Sequence, residues 1–186
     1  MERYNAFWRR LAAGMFDGLI VLLISLLVAK FFLLSNQYSS FGLIFSLALL
    51  TILYSVLLTG LVGQTIGKIV MGIKVLDISE KEVIGVKRAI LRDSVLIIFQ
   101  ILSLIIIGIK NFEVLHISEN VSSFFESLIN RSSFYWFLLE LITMFINKKR
   151  RAIHDFLSSS VVISLKGLRF DKIDEELAVK RAIDIL

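Results

Sequence analysis

The stretch Trp8-Arg9-Arg10-Leu11-Ala12-Ala13-Gly14-Met15-Phe16-Asp17-Gly18 opens a long apolar run with an arginine pair and sets an aspartate two turns inside it. A carboxylate at that depth is costly to keep in hydrocarbon without a partner. On a helix Arg10, Ala13, Gly14, Asp17 and Val21 share one side, because offsets of three, four and seven residues return to the same face. That face is small and polar, so it is expected to turn from lipid toward protein. Arg10 and Asp17 stand about 10.5 Å apart along the axis, which points each toward a partner on another segment. Gly14 and Gly18 form a small-xxx-small pair of the kind that admits a close neighbouring helix.

The rest of the chain has the same character. Its 186 residues are 56% hydrophobic, with no proline and no cysteine, and the mean hydropathy is +0.80. Soluble domains are about 45–50% apolar. The excess reads as an all-α membrane protein, a bundle of about four transmembrane helices, with one domain over 1–165 and a cytoplasmic tail over 166–186. Without cysteine there are no disulfides or thiolate metal sites, and two histidines leave little for a transition-metal centre. No cofactor and no metal is expected.

Residues 11–34 make the first span, long enough to cross a hydrocarbon core of about 30 Å with some tilt. Its length and Asp17 argue against a cleaved signal peptide. Residues 41–62 make the second, with Thr51, Tyr54, Ser55 and Thr59 in a polar stripe expected to bond back to the helix or across to a neighbour. The loop from Gly63 to Arg88 follows. It holds Gly63, Gly67 and Gly72, a stretch 71–78 whose alternation allows a short strand, and a turn at Ser79 to Glu82.

Residues 89–109 form the third span, with Asp93, Gln100 and Ser103 on one face. The fourth, 133–147, is short for a crossing, which takes about 17–25 residues. It is expected to lengthen backward through 124–130, to thin the bilayer or to be partly re-entrant, and it carries Glu140 deep within it. The segment 156–165 is expected to be re-entrant or interfacial, and the tail to form an amphipathic helix through Ile173, Leu177 and Ala178.

Lysine and arginine set the orientation. Arg3, Arg9 and Arg10, the basic loop ending at Lys87 and Arg88, and the cluster Lys148-Lys149-Arg150-Arg151 fall on one side, leaving Lys110 and Arg131 on the other. Both termini are therefore expected in the cytoplasm. The formal charge of +5 then belongs to topology and to anionic headgroups at that face, not to nucleic acid.

Few motifs carry chemistry. Gly63-Gln64-Thr65-Ile66-Gly67-Lys68 has the look of a phosphate loop, but only three residues separate its glycines and Ile69 follows the lysine, where a Walker A motif needs four and a Ser or Thr. Nucleotide binding is rejected, and the glycines are read as a tight exit from the second span. No Ser-His-Asp spacing or metal cluster supports an enzyme.

Three separated blocks resemble the RDD family of small bacterial membrane proteins: Arg10-Leu11-Ala12-Ala13 with Asp17-Gly18; Gly63 to Lys68 with Gly72-Ile73-Lys74-Val75 and then Arg92; and Arg151 with His154-Asp155 before Val161-Val162. The resemblance maps the family's arginine and two aspartates to Arg10, Asp17 and Asp155. The last block departs from it: a Gly-Thr pair commonly follows there, and Ser159 and Ser160 stand in its place. Ser159 lacks glycine's freedom at positive φ.

The resemblance implies a multi-pass protein of the bacterial cytoplasmic membrane and a transport role, with monovalent cation/proton antiport attributed to some members. An intramembrane carboxylate can exchange a proton for a cation. On this reading Asp17 is the exchanging group, Glu140 and Asp93 are accessory, and a homo-oligomer completes the pathway. His154 and Asp155 either relay protons or form a salt bridge docking their segment onto Arg151 or Arg10. The other reading is a non-transporting scaffold held by an Arg/Asp ion-pair network, in which charge-reversal pairs among Arg10, Asp17 and Asp155 restore folding.

Overall fold

The computed structural model describes residues 2–34, 40–112 and 118–166. A 3-10 turn, Glu2–Tyr4, leads into helices α1 (Phe7–Leu34) and α2 (Ser40–Leu61). A short α3 (Ile66–Val70) and strand β1 (Ile73–Asp77) occupy the loop after α2. Helices α4 (Gly85–Phe112) and α5 (Glu119–Ile146) each run 28 residues, and α6 (Ile153–Leu157) and strand β2 (Ser160–Ser164) follow. The connection at 35–39, the segment 113–117 and the tail from 167, with its expected amphipathic helix, lie outside the described residues.

No proline interrupts these helices. Three of them are long and apolar enough to cross a membrane, over Phe7–Lys30, Phe41–Leu61 and Gly85–Lys110. Their large side chains face outward: Met15, Leu27 and Leu61 are 77%, 68% and 67% exposed. An apolar exterior on that scale takes lipid, not water, as its cover. The 133–147 stretch is continuous with helix that starts at Glu119, so the chain lengthens it backward instead of leaving it short.

The strand allowed at 71–78 forms, as β1, and its partner is β2. They run antiparallel with Val75 opposite Val162 and Ile73 opposite Ser164. Alternation along a strand sends Ile73, Val75 and Val162 into a core with Ala6, Ala13, Val56 and Ala89. It sends Leu76, Val161 and Ile163 to the other face, under Tyr4 and Val83. The run 156–165, expected to be re-entrant or interfacial, is the end of α6 and a strand buried at all five residues, because its β-branched side chains find cover against β1 and the helix ends. The sheet thus lies against the end of the bundle where α1 begins and α2 ends.

Candidate functional site

Helix α6 starts where its own Asp155 reaches back, with Oδ2 accepting the Ala152 N–H at 3.0 Å, one half of a capping box. The same oxygen accepts Arg10 Nη2 at 2.6 Å. Oδ1 accepts Arg92 Nε at 3.2 Å, Arg92 Nη2 at 3.1 Å and Ser160 Oγ at 3.2 Å. An ionised carboxylate offers about four lone-pair sites, so these donors leave no room for an incoming ion. Burial pushes the Asp155 carboxyl up, but Arg10, His154 and Arg92 beside it together outweigh burial and hold it well below the usual carboxylate range. Arg151 closes the cluster from below, donating to the Asp155 carbonyl at 2.9 Å and the Ser160 carbonyl at 2.8 Å.

His154 links this cluster to α5. Its Nε2 is 3.1 Å from Arg10 Nη2 and 2.9 Å from Arg92 Nη2. The same Nε2 lies 3.3 Å from Asp155 Oδ1, and Nδ1 on the other side of the ring lies 2.5 Å from Glu140 Oε1.

Asp17 has a separate set of partners. Oδ1 accepts the Tyr54 hydroxyl at 2.6 Å and the Gly67 N–H at 2.8 Å, and Oδ2 accepts Thr65 Oγ1 at 2.6 Å. Tyr54 in turn accepts the Ile66 N–H at 3.1 Å. The first N–H groups of a helix lack intrahelical partners, and here α1 and α2 supply them to α3. The approach is close: a Cβ on Gly67 would stand 2.3 Å from the Ala13 carbonyl oxygen and 2.9 Å from Asp17. Gly67 is therefore a packing glycine, whereas Gly63 and Gly72, at φ +78° and +63°, make turns that favour glycine. Among the described residues a Cβ at Gly14 or Gly18 would meet nothing within 4 Å, and the close contact of α1 with α3 runs through Ala13.

Asp93 and Lys68 form the third group. The Ser55 hydroxyl donates to Asp93 Oδ2; among the described residues that is its side chain's one hydrogen bond, and it is in no ion pair. Lys68 Nζ donates to Thr59 Oγ1 at 3.1 Å and likewise has no ion pair among the described residues. Both line a cavity of about 290 Å³ with Asp17, Ser55 and Gln100. They also line an adjoining one of about 260 Å³ that reaches Arg10, Arg92, Glu140 and His154. Burial draws the Lys68 ammonium down, with Arg92 adding to it and Asp93 and Asp17 opposing, to about 7.

The residues singled out in the sequence thus divide into three groups: Arg10, Arg92, Glu140, His154 and Asp155; Asp17 with Gly67; and Asp93 with Lys68. Several partners were not singled out. Within the polar stripe Thr51 bonds back to the Leu47 carbonyl, while Tyr54, Ser55 and Thr59 reach across, and helical spacing cannot separate these outcomes. Ser159 adopts φ +50°, so the turn usually made by glycine is made by serine. Glu80 gathers Tyr4 at 2.5 Å, Arg3 at 2.7 Å and Lys149 at 3.0 Å. With Arg151 turned inward, the basic cluster at 148–151 makes contacts within the protein.

No curated protein and no solved structure matches the chain. The model of the RDD family matches residues 4–159, a stretch that holds Arg10 and Asp17 on α1 and Asp155 on α6, and the chain belongs to the RDD family.

Proposed function

We propose that the protein is a small transporter of the bacterial cytoplasmic membrane that exchanges a monovalent cation for a proton, with Asp93 as the carboxylate that takes the cation. The observation that carries this reading is the unequal filling of the carboxylates. Asp155 holds donors from four segments and Asp17 accepts three, while Asp93 accepts one hydroxyl and lines a cavity. Small hard cations take oxygen ligands, and Ser55 and Gln100 line the same cavity. Asp17, the exchanging group on sequence grounds, is here a helix-end acceptor. In this reading α5 is a fourth crossing, both termini are cytoplasmic, the basic face meets anionic headgroups, and a homo-oligomer completes the pathway.

The test is flux in proteoliposomes of purified protein with a pH-sensitive dye inside and Na⁺, Li⁺ or K⁺ added outside. Wild type is expected to move protons against at least one cation. Wild type indistinguishable from empty vesicles for all three would end this reading. The scaffold reading has its own support in the filled Asp155 cluster, which ties α1, α4, α6 and β2 together, and it predicts that result.

A further inference from the structure

We propose that Lys68 is the built-in counter-cation of this exchange: its ammonium and the incoming cation hold the cavity in turn, one proton leaving Lys68 for each cation that settles on Asp93. The inference rests on the transport reading above and assigns the proton, which that reading leaves open.

The charged groups around Lys68 come from every element packed on the cavity. Helix α1 supplies Arg10 and Asp17, α4 supplies Arg92 and Asp93, α5 supplies Glu140, and α6 supplies His154. Most of them are engaged elsewhere. Both arginines are paired with Asp155, Glu140 is paired with His154 Nδ1, and the Asp17 oxygens are filled by hydroxyl and backbone donors. Asp93 and Lys68 remain as the opposite charges that share the cavity without touching each other. An ammonium has three donors, of which Lys68 directs one to Thr59.

A second cation entering beside a fixed ammonium meets repulsion in a poorly solvated space. Loss of one proton from Lys68 removes it: the ammonium becomes a neutral amine, the proton leaves to solvent, and the cation takes its place opposite the Asp93 carboxylate. Charge in the cavity is unchanged, so the exchange is one for one and electroneutral. Lysine suits this role because burial shifts it readily, whereas arginine stays charged. The position of Lys68 near neutrality lets the step run at ordinary pH.

The experiment follows proton release with a pH dye when Na⁺ is added to the full-length protein in weakly buffered detergent. Alongside it, Na⁺ uptake into proteoliposomes is measured with the membrane potential clamped at different values. Wild type should release close to one proton per Na⁺ bound at about pH 6, falling toward none by about pH 8.5, and its uptake should ignore the potential. Lys68→Gln should bind Na⁺ with no proton release and take it up in a potential-dependent way. Lys68→Arg, with a permanent charge, should lose Na⁺ binding about tenfold or more at every pH. Proton release from Lys68→Gln like that of wild type, or Na⁺ binding by Lys68→Arg like that of wild type, overturns the proposal; the arginine variant decides it alone if the glutamine variant does not fold. A wild type that neither binds nor moves Na⁺, Li⁺ or K⁺ defeats the transport reading itself, and that result is visible without any variant.

Discussion

Arg92 and Asp93 are neighbours on α4, yet they belong to opposite kinds of environment. Arg92 is buried in a cluster where donors from α1, α4, α6 and β2 converge on the Asp155 carboxylate. Asp93 has one hydroxyl and an open cavity. Charge in a hydrophobic helix is therefore not by itself a mark of transport. A filled carboxylate holds segments together, and an underfilled one is free to take a ligand. Each of the following outcomes would break or sharpen that contrast.

The largest effect is expected at the filled site. Asp155→Asn leaves two buried guanidinium groups with one charge too many, and breaking a buried pair costs about 3–5 kcal/mol; thermal unfolding in detergent should show that loss, and a loss under about 1 kcal/mol would contradict a structural role. The swap Arg10→Asp with Asp155→Arg should not restore stability, because arginine cannot accept the Ala152 N–H or the Ser160 hydroxyl. The scaffold reading's simple form of charge reversal fails on that geometry.

Acid should act through the same carboxylate. Its folded value is depressed, so the stability it contributes is present above the unfolded value of about 3.9 and lost as pH falls through the folded one. Unfolding temperature should stay level from neutral pH to about pH 4 and fall below that. The fall should be shallower in Asp155→Asn.

Gly67→Ala comes next. The added Cβ forces α3 from α1 at the Ala13 carbonyl, an overpacking cost of about 1–3 kcal/mol, read again from thermal unfolding. Its effect should exceed that of Gly14→Ala, where a Cβ meets nothing. The smallest effect is a gain. Ser159→Gly relieves a left-handed backbone at φ +50° and should raise stability by about 1 kcal/mol.

What the sequence discloses is uneven for physical reasons. The three most apolar helices and the β1 alternation are legible because lipid and sheet faces impose regular periods on side-chain character. The need of Arg10 and Asp17 for separate partners is legible from the helical rise alone. The pairing of β1 with β2 is not, since residues 73–77 and 160–164 are joined only through the fold. Gly67 and Gly14 look alike in sequence; only the approach of α1 to α3 separates a glycine that must be small from one that need not be. Asp17 and Asp93 both read as buried carboxylates, and the number of donors each meets depends on α2 and α3, which the spacing within their own helices does not report.

The most direct measurement is cation-driven proton movement by Asp93→Asn in proteoliposomes, with its unfolding temperature determined on the same preparation. The account predicts a protein within about 1 kcal/mol of wild type, because one hydroxyl bond is altered, and no exchange above empty vesicles. Exchange at the wild-type rate in Asp93→Asn would contradict it.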